Sequence, residues 1–362
     1  MDNQELKHWV GFSRLPGIGR ARIAILEQTF GSLADAWAAP ADALEKVLML
    51  DRRSGDALLR RRSTIDLDQE LDHLARLGIQ VLTWHDDAYP RLLRETYDLP
   101  PVLYVRGTLT HEDDSSLAVV GTRKATAYGR EATHTIVTGL AHSGVTIVSG
   151  LARGVDAAAH RAALEAGGRT LAIMACGLDT VYPPEHLNLA QEIMKHGALV
   201  SEHPLGVRPE ASHFPRRNRI MSGLSLGVLI VEAGEESGAH ITVRYALEQD
   251  REVFAVPGSI FSPGSKGTHR WILEGAKLVT CAEDILEEMN LTTLGQQLEL
   301  KAAVTATPAE QLLLQHLSHE PTHIDDVGRR SGLPMPEVSS GLAMLELKGA
   351  VRQVGVMSFV LA

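Results

Sequence analysis

The sequence predicts an α/β protein built on a largely parallel β-sheet. Between residues 115 and 290, short apolar segments typical of buried strands alternate with segments of helical periodicity. The first apolar segment stops at a glycine, which is followed by two basic residues and a helix-like stretch. Because alternation of this kind implies right-handed βαβ crossovers, we expect an extended, Rossmann-like parallel sheet.

The predicted strands should bring several polar loops to one edge of the sheet. The strands cover residues 117–120, 145–149, 170–175, 199–201, 227–231, 253–256 and 277–279. Polar or glycine-rich loops cover residues 121–124, 149–156, 176–184, 201–206, 232–240 and 257–259. Parallel strands end at the same edge, so these loops form the expected ligand-binding rim.

Length, charge and cysteine content set broad limits on function. The 362 residues suggest about two or three domains. The net charge of −10 argues against general affinity for nucleic acid, although a local basic groove can still focus a positive field. Without a recognisable signal peptide or membrane span, we expect a cytoplasmic protein that does not engage membranes. Cys176 and Cys281 are expected to be buried, reduced thiols.

Residues 1–77 are rich in Ala, Leu and Arg at helical spacing and predict a small helical domain. Within it, residues 15–19 (LPGIG), followed by Arg20 and Arg22, resemble the hairpin of a helix-hairpin-helix module. Such a hairpin turns glycine N–H groups toward a nucleic-acid phosphate. A purely structural turn between two helices accounts for the same residues.

The domains that follow are predicted from shifts in composition. Residues 78–114 contain two short β-prone pieces and predict an adaptor packed on the edge of the main domain. The main domain spans residues 115–290, and the polar residues 291–307 predict a linker.

Residues 308–362 have the element order of a winged helix. Helices are predicted over residues 309–317, 324–331 and 336–348, with a hairpin over 351–361. The last of these helices offers Glu337, Glu346 and Lys348 among small and apolar residues. Because a helix that reads DNA needs basic or amide side chains, we favour a protein-contact or degenerate module.

The loop after the first strand of the main domain is a candidate phosphate site. Gly121 allows close backbone approach, the following helix start favours an anion, and Arg123 and Lys124 add full charges. The spacing is not GxGxxG and no acid follows the next strand, which disfavours NAD. Residues 258–266 lack Walker spacing, so we expect no nucleotide cofactor. Alternatively, these cations only solvate the rim.

A second candidate binding segment is HFPRRNRIMSGLS, residues 213–225. Its guanidinium groups (Arg216, Arg217, Arg219) can meet successive phosphates of a single nucleic-acid strand, while Phe214 offers a stacking surface to a base. Alternatively, Phe214 belongs to the core and the arginines form a solvated helix start.

Two further arginines have open assignments. Arg153 and Asp156 lie at a predicted helix start, where two such residues more often form a local ion pair with each other than bind a ligand. Arg169 precedes the strand at 170–175, so a regular sheet places its charge at the edge opposite the loops.

Catalytic signatures are scarce in the sequence. There is no HExxH, no zinc-spaced Cys pair and no GxSxG elbow, so we expect neither a bound metal nor a catalytic residue. Glu232, Glu235, Glu236 and Glu248 are the acids near the expected rim. They could provide a general base for glycosidic cleavage of a nucleotide, but a solvated or capping role is favoured.

Seven motifs occur in an order that resembles one known family. They are AVVGTRKATAYG (118–129), IVSGLARGVDAAAH (147–160), GGRTLAIMACGLDTVYPPEH (167–186), SEHPLG (201–206), HFPRRNRIMSGLS (213–225), EAGEESGAHITVRYALEQDREVFAVPGS (232–259) and GTHRWILEGAKLV (267–279). Along nearly its whole length the chain resembles the DNA processing protein A (DprA, also called Smf) family.

This resemblance implies a Rossmann-like domain that binds single-stranded DNA without sequence preference. It implies loading of the RecA recombinase, support of natural transformation and DNA recombination, a homodimer formed through the Rossmann domains, and no nucleotide hydrolysis. It also implies an N-terminal domain of the SAM or helix-hairpin-helix type and a winged helix found in only some members. The residues carried over by motif are Gly121, Thr122, Arg123, Lys124, Arg169, Phe214, Asn218 and Arg219. The sequence departs from the family at Ala239–His240 and near Ala175–Cys176, which affects only local loop shape.

Two other functions remain open from the sequence. A nucleotide phosphoribohydrolase uses a similar sheet with glycine-rich loops, but its PGGxGTxxE signature is absent, and residues 233–242 stand in that region. A transcription regulator would read duplex DNA with the terminal winged helix and would lose DNA binding without residues 308–362.

Overall fold

The computed structural model describes residues 3–291, 307–318, 321–347, 350–355 and 357–361. They form two compact units. The first contains residues 3–141 and 145–289, and the second contains residues 142–144 and those from 290 onward. Most of the predicted linker, residues 292–306, lies outside the described residues.

The N-terminal segment folds into helices, as predicted. They are α1 (Asn3–Ser13), α2 (Arg20–Phe30), α3 (Leu33–Ala38), α4 (Ala41–Val47), α5 (Arg52–Arg62) and α6 (Leu67–Arg76). Asp51 caps α5 by accepting from the Ser54 N–H at 2.8 Å, and Asp66 caps α6 by accepting from the Gln69 N–H at 3.0 Å. The shared core contains Trp9, Phe12, Leu26, Leu33 and Leu44.

The LPGIG residues form a tight hairpin between α1 and α2. Gly17 has a φ of +75°, a left-handed conformation that favours glycine. The Arg22 guanidinium donates to the Gly17 carbonyl at 2.7 Å and closes the turn. A Cβ added at Gly19 would meet no heavy atom within 4 Å, so the backbone there faces open space.

The main domain and the adaptor together form a nine-stranded sheet in the order β1-β2-β6-β5-β4-β3-β7-β8-β9. The strands are β1 (Ile79–Thr83), β2 (Val102–Gly107), β3 (Ser116–Val120), β4 (Thr146–Ser149), β5 (Thr170–Ile173), β6 (Gly197–Ser201), β7 (Gly227–Ile230), β8 (Glu252–Ala255) and β9 (Lys277–Leu278). The strands from β3 to β9 pair in parallel, which confirms the predicted Rossmann-like sheet. The two adaptor strands extend it, because β2 pairs antiparallel with both β6 and β1.

The connections in this domain are mainly helical. They contain α7 (Arg91–Arg94), α8 (Ala127–His142), α9 (Val155–Glu165), α10 (Leu187–His196), α11 (His213–Gly223), α12 (Ala239–Glu248), α13 (Lys266–Leu273) and α14 (Ala282–Glu288). Every residue of β3 is buried, as expected for a strand covered on both faces. Leu199 and Val200, neighbours on β6, enter different cores: the first packs with the N-terminal helices and the second with α11 and α12.

A topological switch lies at the centre of the sheet. From β3 the chain moves outward through β4, β5 and β6, then returns through α11 to place β7 on the other side of β3. In open α/β sheets this reversal leaves a crevice at the carboxyl ends of the two central strands. The crevice therefore lies beside the loops after β3 and β7.

The second unit has the predicted winged-helix order. It contains α15 (Pro308–Leu314), α16 (Ile324–Ser331) and α17 (Met335–Leu347), with β10 (Thr322–His323), β11 (Val351–Gly355) and β12 (Ser358–Leu361) in the order β10-β12-β11. Gly332 ends α16 in the left-handed conformation. Its core contains Leu313, Val327, Val338, Leu342 and Phe359.

The two cysteines are unpaired thiols. Cys176 is buried, and burial raises its pKa to about 11, whereas Cys281 is partly exposed.

Across the described residues, no helix combines the length and apolar character required to cross a bilayer.

A buried hydroxyl pair joins α1 to β2 and gives a stability prediction. The Tyr104 hydroxyl lies 2.6 Å from the Ser13 hydroxyl, which itself donates to the Val10 carbonyl at 2.7 Å, so Tyr104 is the donor. Tyr104→Phe removes this bond and should lower the free energy of unfolding in urea by about 1 kcal/mol. Tyr97→Phe, on a residue that is 90% exposed, should leave the unfolding midpoint unchanged. Equal midpoints for both variants would contradict this role.

Candidate functional site

Backbone contacts join the loops after β3, β4 and β7. The Thr122 N–H donates to the Glu232 carbonyl at 2.7 Å, and the Val155 N–H donates to the Thr122 carbonyl at 3.2 Å. A Cβ at Gly121 would lie 2.5 Å from a methyl carbon of Val155, and one at Gly154 would lie 2.1 Å from the Thr122 carbonyl oxygen. Both positions therefore require glycine.

Glu232 also holds the far end of the loop after β3. Its side chain is 5% exposed, and it accepts from the Thr126 N–H at 2.9 Å and from the Thr126 hydroxyl at 3.2 Å. The Thr126 hydroxyl in turn accepts from the Gly129 N–H at 3.1 Å. The carboxylate thus caps the start of α8. Capping is the role that the sequence favoured over that of a general base.

Two cations stand on this loop with no carboxylate partner. Arg123 and Lys124 are exposed, and neither forms an ion pair with any residue that the structure describes. The Arg123 guanidinium lies 5.3 Å from the centre of the Phe214 ring, a cation–π distance. Phe214 is partly exposed, so part of its ring remains open to a ligand.

The crevice between these loops and α11 is a cleft of about 860 Å³. Its lining includes Gly121, Thr122, Arg123, Lys124, Phe214 and Asn218. It also includes Tyr182, whose ring lies 5.7 Å from that of Phe214. Sequence analysis did not identify Tyr182, although an aromatic residue in the predicted rim loop 176–184 was an available signal.

Arg217 does not face this cleft as a free cation, which corrects our expectation for the segment. It is 4% exposed and donates to the carbonyl oxygens of Gly150 at 2.6 Å and Ile173 at 2.5 Å. Asp156 accepts from the Gly150 N–H at 3.1 Å; burial raises its pKa, and the charge of Arg217 opposes that shift. Arg217 therefore supports the loop after β4, because its helical position directs it toward the sheet.

Arg219 is likewise engaged within the protein. It is 8% exposed, donates to the Asp98 carbonyl at 2.7 Å and forms ion pairs with the carboxylates of Asp98 and Glu202. Burial raises the pKa of Glu202, while Arg219 favours its ionised form. This arginine is therefore engaged within the protein rather than free to meet a phosphate, whereas Arg216 of the same segment is exposed.

The remaining predicted cations occupy different edges. Arg153 lies on the loop rim and pairs with Glu185 rather than with Asp156, both partners being exposed. Arg169 lies at the amino end of β5, where it contacts the Asp113 carboxylate at 3.0 Å and the Thr108 carbonyl at 2.9 Å. The structure therefore does not bring Arg169 together with the cleft residues.

Among the described residues no cluster of His, Cys, Asp and Glu side chains is arranged to hold a metal ion.

Comparisons with known proteins agree with this architecture. A family model for DNA recombination-mediator protein A matches residues 80–290, and a model for the DprA winged helix domain matches residues 298–355. Protein Smf of Synechocystis is 34% identical over 389 residues, covering 98% of each chain. Protein Smf of Escherichia coli is 46% identical over 274 residues, covering 74% of this chain and 73% of its own.

Two solved structures share the fold. DprA from Streptococcus pneumoniae superposes with a TM-score of 0.67 at 35% identity, covering 80% of this chain and 98% of its own. DprA from Helicobacter pylori, described for its single-stranded DNA binding mode, superposes with a TM-score of 0.53 at 29% identity, covering 59% of this chain and 97% of its own. Because a family model spans more than half of the chain and a relative aligns along nearly all of it, this protein belongs to the DprA/Smf family.

Proposed function

We propose that this protein binds single-stranded DNA at the cleft beside Gly121, without sequence preference and without catalysis. The observation that carries the proposal is a pair of cations at the switch point of the sheet, Arg123 and Lys124, that form no ion pair among the described residues, with Arg123 next to the Phe214 ring. The single-stranded DNA binding described for the H. pylori relative supports the same assignment.

The side chains at the cleft suit a single strand better than a duplex. A base can stack on Phe214 or Tyr182 only when it is free of its partner strand. Every base has an aromatic face, so stacking of this kind tolerates any sequence, while Arg123 and Lys124 neutralise phosphates. Arg153 can join them, because its exposed ion pair with Glu185 stabilises the protein little and a phosphate can compete for it.

We further propose that the bound strand is delivered to RecA, in support of natural transformation and DNA recombination. Family membership supports this role, since the matched model describes a recombination mediator. A cytoplasmic location is part of the same proposal, because the proposed DNA and recombinase partners are found there.

A homodimer through the Rossmann domains also belongs to the proposal. Exposed apolar side chains occur in the segments between β8 and β9: Ile260 is 78% exposed, Phe261 is 90% exposed and Leu273 is 88% exposed. Large exposed apolar groups of this kind are typical of protein–protein contacts when they form one patch. A second copy of this chain is the partner that the family implies.

Charge reversal in the cleft should weaken DNA binding. Arg123→Glu should lower affinity for oligo-dT, and the slope of log affinity against log salt should shrink by about 0.7 for each phosphate that the protein no longer neutralises. A salt titration of fluorescent oligo-dT measures both quantities. Arg161→Glu, on an exposed arginine of α9 outside the cleft lining, is the charge-matched control. Unchanged affinity and slope for Arg123→Glu would count against the cleft.

Removal of the winged helix should leave most single-strand binding intact. Residues 3–141 and 145–289 form a compact unit that contains the whole cleft. A chain without residues 308–362 should therefore bind oligo-dT with an affinity close to that of the full chain in the same titration. Loss of binding would instead favour the winged helix as the DNA-contact module.

Hydrolysis of nucleotides should be absent. Glu232 is a buried acid of the loop after β7, and both of its hydrogen bonds with Thr126 occupy the same carboxylate oxygen and cap α8. When each protein is incubated with AMP, the wild type should release no more adenine from the nucleotide than Glu232→Ala does, as measured by chromatography. Steady release that disappears in the variant would favour a phosphoribohydrolase and contradict our choice.

A further inference from the structure

A second groove lies along the same rim of the main unit, between the α1–α2 hairpin and the sheet. We define it as the hairpin groove, lined by Gly17, Gly19, Arg20, Arg61, His213 and Arg216. Both walls of the groove belong to the same compact unit. The hairpin singled out in the sequence thus faces the rim that carries the cleft.

The first turn of α11 separates the hairpin groove from the cleft. Phe214 lines the cleft, whereas His213 and Arg216 line the hairpin groove. Because neighbouring residues of one helical turn contribute to both, the two depressions share a wall. An extended polymer that leaves the cleft can therefore pass over α11 into the groove.

The charge available in the hairpin groove is positive. Arg20, Arg61 and Arg216 form no ion pair with any carboxylate in the described part of the chain. Of the groove acids, Glu202 and Asp98 are both paired with Arg219. Glu210 is the remaining acid of the lining, and it lies 4.0 Å from the His213 ring.

An exposed aromatic ring stands beside one of these cations, Arg20. Tyr97 is 90% exposed, and the Arg20 guanidinium lies 5.4 Å from the centre of its ring. This pair resembles Arg123 and Phe214 at the cleft, where a guanidinium likewise lies 5.3 Å from the centre of an aromatic ring. An exposed aromatic ring with an adjacent guanidinium is the arrangement that stacks a base while neutralising its phosphate.

We propose that the single strand held at the cleft continues over α11 into the hairpin groove. There Arg216, Arg20 and Arg61 neutralise its phosphates, and Tyr97 stacks on a base. This inference rests on the proposed function, because the groove extends a site that must itself bind single-stranded DNA. An acidic peptide would use the same charges, but it gives the exposed Tyr97 ring no base to stack on.

The test compares two strand lengths on the full-length chain. One oligo-dT, of about 6 nucleotides, is short enough to occupy the cleft, and the other, of about 20, is long enough to reach the groove. Arg20→Glu and Arg216→Glu should each lower the affinity for the long strand and reduce the slope of log affinity against log salt by about 0.7. Their affinity for the short strand should stay unchanged. Tyr97→Ala should lower the affinity for the long strand by at least about fivefold. Tyr97→Phe keeps the ring and should leave that affinity unchanged.

Matched controls separate this inference from the proposed function. Arg60→Glu alters the exposed neighbour of Arg61 on α5, outside the groove lining, and should leave both affinities unchanged. Arg123→Glu should lower the affinity for both the short and the long strand.

Two outcomes would overturn the groove inference. In the first, Arg123→Glu lowers the affinity but the groove variants bind the long strand normally, which leaves the proposed cleft site intact. In the second, the groove variants lower the affinity for the short and the long strand equally. Unchanged thermal unfolding of each variant shows that folding is not the cause.

Discussion

The double hold of Glu232 on the loop after β3 is the constraint on which the site depends. Its main-chain carbonyl accepts from Thr122 and its carboxylate accepts from Thr126, so one residue fixes both ends of the loop. The two cations between those ends, Arg123 and Lys124, are thereby presented at the switch point without an acidic partner among the described residues. A loop held in this way gives up little additional backbone entropy when an anion binds.

The arginines of α11 divide into structural and accessible groups. Arg217 is buried against the carbonyls of Gly150 and Ile173, and Arg219 is buried between Asp98 and Glu202. A buried guanidinium is costly unless hydrogen bonds and opposite charges compensate it, and both have such partners. Arg216 is exposed on the same helix and remains available to solvent or ligand. The net charge of −10 makes this local selection important, because only a concentrated positive rim can attract a polyanion.

The N-terminal helices and the sheet contribute to one rim because they share a hydrophobic core. Trp9 and Phe12 belong to the same core as Leu199 of β6, and Tyr104 of β2 adds a hydrogen bond to α1. This packing brings the Gly17 hairpin beside the carboxyl edge of the sheet, where the loop after β6 and α11 meet it. The position of the hairpin groove beside the cleft is therefore a property of tertiary packing.

The sequence by itself determined the α/β class, the parallel order of the main domain, the winged helix and the loop that carries Arg123. These features follow from local periodicity and from glycines whose backbone positions tolerate no Cβ, such as Gly121. Only the tertiary structure decided which charges are accessible. Successive residues of α11 point in directions about 100° apart, so Arg216 and Arg217 meet different surroundings although the sequence presents them as equivalents. Likewise, the pairing of Arg169 with Asp113 and of Arg153 with Glu185 joins segments distant along the chain, which no local pattern of residues encodes.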